Sequence, residues 1–209
     1  NNGRWYEDHY TAIVRRFKEH NVRVVVGSPG CVGKIAGWVN GRAGTLDEHN
    51  VHLCALRDIA IGVAEREGVR FADIFWPMLQ AQVFAPGQHQ ATPEHPYEVA
   101  GKDGIHPGWA GHVVMAWAFL RALGLDGNIG TISIDLASGT ASASEGHAVE
   151  SFRDGKLTLV SSRYPFCARG DLDSDQSLRS GTTLVPFAED LNRFVLRVTG
   201  QHSGSYRLR

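Results

Sequence analysis

Hydrophobic positions recur along the first 124 residues in two alternating rhythms. Over residues 5–20, Tyr6, Tyr10, Ile13, Val14 and Phe17 fall at three- and four-residue steps, the spacing of one helix face. Residues 22–26 are β-branched apart from Arg23 and run into Gly27-Ser28-Pro29-Gly30, the pattern of a buried parallel strand. A Gly-rich stretch over 29–45 follows, long enough to predict a functional rather than a merely connecting loop. Thr45 and Glu48 then have the spacing of a capping box, ahead of a helix to about Glu67 with Leu53, Leu56, Ala60, Val63 and Ala64 as its core stripe. Gly68 stops that helix and residues 69–72 read as a second short strand. A further helix is predicted from about Ile74 to Phe84, with Pro77 in its first turn. Residues 109–123 are apolar on nearly every face, which predicts a helix buried against the sheet. Alternation of this kind predicts an α/β sandwich on a parallel sheet, of which only two strands are evident, both expected to be buried.

Beyond Gly124 the pattern changes to strands. Ile132, Ile134 and Leu136 alternate within residues 129–136, and strand-like lengths recur at 140–144, 156–161 and 194–198. Arg153-Asp154-Gly155-Lys156 carries the Asp-Gly signature of a tight hairpin. Tyr164, Phe166, Phe187, Tyr206 and Leu208 are the candidate core residues. The expected organisation is an α/β domain over residues 1–124 and an antiparallel, β-sandwich-like accessory module over 125–209.

Composition adds mainly exclusions. With 209 residues, 43% hydrophobic and 21% charged, the chain has the make-up of an ordinary globular protein. A formal net charge of −1 offers no electrostatic basis for binding nucleic acid or an anionic membrane surface. The longest apolar stretch, residues 113–125, contains Arg121 and falls short of the roughly 20 residues of a membrane span. Cys31, Cys54 and Cys167 lack metal-ligand spacing, and their odd number gives no disulfide framework, so buried free thiols are expected. His89 and His95 lie in a polar stretch over 86–99 with three prolines. Their spacing matches no common metal site, and a solvated loop is expected there.

Candidate chemistry concentrates in Asp103-Gly104-Ile105-His106-Pro107, just before the apolar helix. A carboxylate three residues from an imidazole can fix the ring's tautomer and stabilise the imidazolium, the partnership a general base needs. Pro107 suits the first position of the following helix, because its missing N–H would have no partner there in any case. The same residues also fit a turn capped by Asp103 in which His106 packs against Trp109.

Residues 103–123 resemble the C-terminal catalytic block of the SGNH/GDSL hydrolases, in which Asp-x-x-His-Pro precedes the last helix. The continuation Gly108-Trp109-Ala110-Gly111-His112 is similar to that family's usual sequel. A second resemblance lies in Asn1-Asn2-Gly3-Arg4-Trp5-Tyr6, which looks like the end of the family's Gly-x-Asn-Asp block. The resemblance implies a flavodoxin-like three-layer sandwich with about five parallel strands. It also implies a Ser-His-Asp triad in which His106 is the base and Asp103 its orienter, with Asn1 matching the asparagine that donates to the oxyanion. No metal or organic cofactor is implied.

The chain departs from the family where the nucleophile should be. No Gly-Asp-Ser follows an early strand, and Gly170-Asp171-Leu172-Asp173-Ser174 lies far downstream in a polar segment. Ser28 ends a predicted strand, but Pro29 follows it and prevents a strand-to-helix nucleophile elbow. The expectation is therefore a fragment: an incomplete flavodoxin-like sheet missing its neighbouring strands, and a chain catalytically incomplete without an upstream serine. The function implied is that of a serine esterase or acetylesterase on a small-molecule ester or an acylated carbohydrate. The alternative is a non-catalytic carbohydrate- or protein-binding protein with a degenerate hydrolase domain. Residues 161–194 resemble C-terminal extensions of some bacterial proteins of the SGNH type. They read either as a module that packs over the hydrolase or as one that binds carbohydrate. Cys31 and Trp38 are candidates for a pocket wall, and equally for ordinary packing. Oligomeric state is not legible.

Overall fold

The rhythm of apolar residues at the start of the chain becomes α1 (Asn2–Glu19), whose inner stripe runs at four-residue steps through Tyr6, Tyr10 and Val14. Ile13 and Phe17, expected on that stripe, are exposed. The computed structural model describes residues 2–39 and 44–208. Described residues up to Asp126 form one compact unit together with Cys167–Phe187, and Gly127–Phe166 forms a second with the residues from Ala188 onward. A single division near Gly124 therefore does not describe the path. The chain returns to the first unit over Cys167–Phe187, for reasons given below.

In the first unit, β1 (Val25–Gly27) and β2 (Arg70–Ala72) pair in parallel, with Val26 opposite Phe71. Both strands are three residues long and only partly buried, with Val26 and Ala72 enclosed and Arg70 exposed. Val22, expected in the first strand, precedes it and is exposed. The amide of Ser28 donates to the Ala72 carbonyl, so the peptide groups of Gly27 face the edge away from β2. There the Tyr10 hydroxyl both accepts from Gly27 N (3.1 Å) and donates to Gly27 O (2.9 Å). An unsatisfied strand peptide is costly to bury, and this one phenol serves both of its polar groups.

Between the strands, α2 (Leu46–Glu67) begins as its sequence predicts. Thr45 Oγ1 accepts from Glu48 N, and Glu48 Oε2 accepts from Thr45 N. Gly68, at φ 63°, terminates the helix in the left-handed conformation that glycine adopts without strain. Ala60, Val63 and Ala64 join Val14 and Val26 in the core, while Leu53 and Leu56 are partly buried. Enclosing each valine is worth about 1.5–3 kcal/mol.

After β2, α3 (Phe75–Gln88) starts against Ser28, whose Oγ accepts from the amides of Ile74 (2.8 Å) and Phe75 (3.0 Å). Ser28 is thus a buried cap for a helix whose N-cap residue, Ile74, has no polar side chain, alongside a long bond from Trp76 N to Asp73 Oδ1 (3.4 Å). The helix continues one turn past Phe84 and through Pro86, since a proline in a last turn removes only one ladder bond. The stretch expected to be a solvated loop is divided: residues 92–96, His95 among them, are exposed as expected, while its two ends are packed. Tyr97, Val99 and Ala100 are buried, and the His89 ring stacks on Tyr97 at 4.3 Å with its side chain only 5% exposed. Last in this part comes α4 (Trp109–Ala122), which buries Ala110, Val113, Val114, Trp117 and Ala118 and packs on β2 and α3.

The second unit contains β3 (Asn128–Asp135), β4 (Thr140–Ala143), β5 (His147–Arg153) and β6 (Lys156–Ser161). β3 and β4 are antiparallel, as are β5 and β6, which turn at Asp154 and Gly155, both at positive φ. In the returning segment, α5 (Leu178–Gly181) belongs to the first unit, and α6 (Phe187–Leu191) leads into β7 (Arg193–Thr199). β7 pairs in parallel with β3, giving a mixed sheet in the order β4-β3-β7. The expected all-antiparallel module is corrected on this point. The long excursion between β3 and β7 supplies the crossover that a parallel pair requires. Tyr164, Phe166, Tyr206 and Leu208 are exposed rather than core residues, and of the expected aromatics only Phe187 is buried.

Candidate active site

The loop that carries Asp103 and His106 is shaped by two glycines at positive φ, Gly101 (91°) and Gly104 (83°), closed by a bond from Gly104 N to Gly101 O. A Cβ on Gly101 would overlap the His106 carbonyl, and one on Gly104 would collide with the Lys34 backbone. Glycine is therefore required at both positions for steric as well as conformational reasons. Asp103 Oδ1 accepts from the amides of Ile105 and His106, each at 2.9 Å, which locks the carboxylate in place. Its other oxygen, Oδ2, accepts from His106 Nδ1 at 2.7 Å. An ionised carboxylate only accepts, so Nδ1 carries a proton, and it is Nε2 that bears the lone pair whenever the ring is neutral. The His106 hydrogen bond, reinforced by the two amides, holds the Asp103 carboxyl well below the usual carboxylate range. The His106 side chain is 75% exposed, and Asp103 is the partner of its ring in hydrogen bonding.

Pro107 lies before the helix rather than in its first turn. α4 starts at Trp109, with Gly108 as its N-cap and no side-chain cap. The missing cap is supplied from far along the chain, where Asp175 O accepts from Ala110 N (3.0 Å) and Asp175 Oδ2 accepts from Glu98 N (3.0 Å). Alongside, Ser180 is fully buried with its hydroxyl bonded to the Tyr97 hydroxyl, and Gly181 approaches Ala110 and Val113 too closely for a side chain. These contacts explain why Cys167–Phe187 belongs to the first unit: it caps α4 and fills the ground beside it. They also bring Gln176 to a cavity of about 350 Å³ that it shares with Gly101, Lys102, Asp103, His106, Pro107 and Gly108.

The Gly-rich loop lies against the same site. Gly33 N donates to Gly104 O (2.9 Å), Lys34 Nζ pairs with Glu98 Oε1 (2.6 Å), and Asn50 pins Val32 through both of its backbone groups. Trp38, from this loop, sets its ring 6.0 Å from that of His106 and is 63% exposed. Cys31 is buried and its thiol is pushed up to about 11 by desolvation, which marks it as packing rather than chemistry. Cys54 is partly buried and Cys167 exposed, so the expectation of buried thiols holds for Cys31 alone.

Asn1, the other residue expected at the site, lies outside the described residues; Asn2 is in the first turn of α1. Ser174, in the downstream Gly-Asp-Leu-Asp-Ser stretch, accepts from Gln176 N as part of a local turn. Gln176 and Asp175 escaped the sequence analysis because no local pattern links them to a loop about seventy residues away. The requirement for Gly101 was within reach, since Gly101-Lys102-Asp103-Gly104 is glycine-rich turn sequence. Among the described residues no cluster of histidine, cysteine or carboxylate side chains has the arrangement of a metal site, and no helix is long and apolar enough to cross a membrane.

The described elements are those of an α/β protein in which a loop before a helix presents a histidine held by a carboxylate. No family model matches the chain, and no curated protein matches it. Among solved structures the chain is similar to BT4096, a gut microbial diltiazem-metabolizing enzyme, with a TM-score of 0.64 and 23% identity. The alignment covers 90% of this chain and 44% of that one, so the chain spans less than half the length of the protein it matches. At this identity the likeness is one of fold.

Proposed function

We infer that this chain carries the histidine–aspartate part of a hydrolase that cleaves esters by nucleophilic catalysis, as the resemblance to SGNH/GDSL hydrolases implies. The observation that carries this is the 2.7 Å bond from His106 Nδ1 to Asp103 Oδ2, with the carboxylate already fixed by two amides and most of the imidazole open to solvent. A base must be oriented and accessible at once, and a carboxylate on Nδ1 leaves Nε2 free to take a hydroxyl proton. The fold-level likeness to an enzyme is compatible with such a role.

His106 would act as general base and then general acid, with Asp103 orienting it; Asn1 is the proposed oxyanion donor. Among the described residues no serine, threonine or cysteine side chain hydrogen-bonds to His106, and the proposed attacking group is a serine hydroxyl brought to Nε2 from elsewhere in the protein. A small-molecule ester or an acylated carbohydrate is the proposed substrate class, and the proposed chemistry uses no metal or organic cofactor. The competing non-catalytic role would leave the Asp103–His106 bond as a turn device, in keeping with the two amides that Asp103 also holds.

The test is turnover of p-nitrophenyl acetate by the longest natural polypeptide containing these residues. His106→Ala is expected to lower kcat by roughly 10²–10⁴-fold, and Asp103→Asn by up to about 10⁴-fold through the wrong tautomer. Turnover indifferent to both substitutions would remove the hydrolase assignment and favour the binding protein.

A further inference from the structure

We propose that Trp38 is a specificity-determining residue that stacks against the alcohol portion of the ester, and that this portion is a hydroxylated ring, a pyranose. The inference rests on the hydrolase assignment above. In such a reaction, attack of the nucleophile's hydroxyl forms the new C–O bond and passes its proton to His106 Nε2. Collapse of the tetrahedral intermediate then breaks the acyl–oxygen bond, and Nε2 returns that proton to the departing alcohol oxygen. The alcohol portion therefore lies against His106, whatever the acyl group is.

Two different surfaces meet at His106. One is the Trp38 ring, 6.0 Å from the imidazole and 63% exposed, too open to be explained by core packing. It is carried by a loop that the Gly33–Gly104 bond and the Lys34–Glu98 ion pair hold against the site loop, so its position is tied to that of His106. The other is the cavity of about 350 Å³, which His106 shares with the polar side chains of Lys102, Asp103 and Gln176 and which Trp38 does not line. A ligand at Nε2 is thus offered a flat aromatic face by one neighbour and hydrogen-bonding groups by the others. A pyranose has the matching surface. Its axial C–H groups form a flat, weakly positive face suited to the negative face of an indole, and its hydroxyls radiate from the rim. A simple alkyl alcohol would leave the polar cavity unused, and an unsubstituted aromatic alcohol would offer no hydroxyls to Lys102 or to Gln176, whose Nε2 also donates to Asp175 Oδ1 (3.0 Å). Gln176, delivered by the returning segment, is the assigned hydroxyl-binding partner.

Binding can be read without turnover. The chain, with ¹⁵N-labelled tryptophan and histidine, is titrated with methyl β-D-glucopyranoside, and separately with phenol, while the Trp38 indole N–H and His106 ring signals are followed by NMR. Saturable, joint movement of both signals with the glycoside is expected in the millimolar range. Trp38→Ala should weaken binding about ten-fold, with partial recovery in Trp38→Phe, and Gln176→Ala should weaken it about three-fold. Unchanged remaining signals establish that the variants are folded. Three results would overturn the proposal: no saturable glycoside shift, equal glycoside affinity in Trp38→Ala (a tryptophan that only braces His106), or phenol binding more tightly than the glycoside. Loss of glycoside binding alongside His106-dependent ester turnover would remove the sugar and leave the hydrolase. Glycoside binding without turnover would support the sugar site and remove the hydrolase.

Discussion

Two histidines of this chain are held by hydrogen bonds of similar length and in opposite ways. His106, in the first unit, spends Nδ1 on Asp103 and leaves most of its ring in solvent. His147, in the second, is buried and has both nitrogens engaged. Nε2 donates to the Ile129 carbonyl and Nδ1 meets Ser161 Oγ, each at 2.9 Å, while the ring stacks on Phe194 at 5.1 Å. A carbonyl only accepts, so Nε2 of His147 carries the proton and Nδ1 accepts from the serine hydroxyl. The first arrangement uses one ring nitrogen for orientation and leaves the rest of the imidazole open to solvent. The second uses all of it to join the β5–β6 hairpin to β3. Residue type alone does not separate an open imidazole from a staple; the number of ring nitrogens already occupied, and by what, does.

The sharpest way to break this comparison is to disturb the loop that makes His106 different. Gly101→Ala places a Cβ on the His106 carbonyl at a backbone φ of 91°, and is expected to cost at least about 2–3 kcal/mol of stability. Denaturant unfolding measures the cost, and loss of the Asp103–His106 coupling in the imidazole NMR signals shows where it falls. A variant as stable as the parent would mean that the loop relaxes freely and that the His106 ring is not pre-oriented.

His147→Ala tests the other side. It strands the Ile129 carbonyl and the Ser161 hydroxyl in a partly buried setting and opens a cavity, for an expected cost of about 2 kcal/mol. Hydrogen exchange should accelerate in the second unit, with the His106 signals unmoved. If His106→Ala proved equally destabilising, the distinction between the two histidines would collapse.

The smallest effect expected is one of pH. The Asp103 carboxyl is held below its ordinary range in the folded state, so its contribution to stability is complete above the unfolded value of about 3.9 and is lost as pH falls below that toward the folded value. Comparing parent and Asp103→Asn by thermal unfolding should give a difference that shrinks as pH falls below about 4. Exposure and solvent screening keep it small. A gap that widens as pH falls below about 4 would contradict the assigned hydrogen bonds.

Much of this molecule is written locally. The capping box at Thr45 and Glu48, the stop at Gly68, the Asp154-Gly155 turn and the apolar helix after Pro107 all follow from residues within a few positions of one another. The Asp103–His106 bond belongs with them, since three residues of a glycine-punctuated turn suffice to make it. What sequence spacing could not convey is everything that depends on distant segments meeting. Ser28 sits behind a proline and reads as a failed nucleophile, yet in three dimensions it is the cap of α3. His89 looks like a residue of a polar loop until Tyr97 stacks on it. The parallel pairing of β7 with β3, and the return of Cys167–Phe187 to cap α4, join segments separated by nearly sixty residues or more. No periodicity records such pairings, because which partner satisfies a backbone group or covers an apolar face is settled by the whole arrangement.

The sequence by itself therefore determined the first four helices, the hairpin and a carboxylate beside an imidazole, all products of short-range sterics and hydrogen bonding. Only the tertiary structure decided that this imidazole stands open beside Trp38 and a cavity shared with Gln176, while His147 is closed on both sides. Exposure and neighbourhood are properties of the packed molecule, and they divide the chemistry of two histidines that the sequence writes with the same letter.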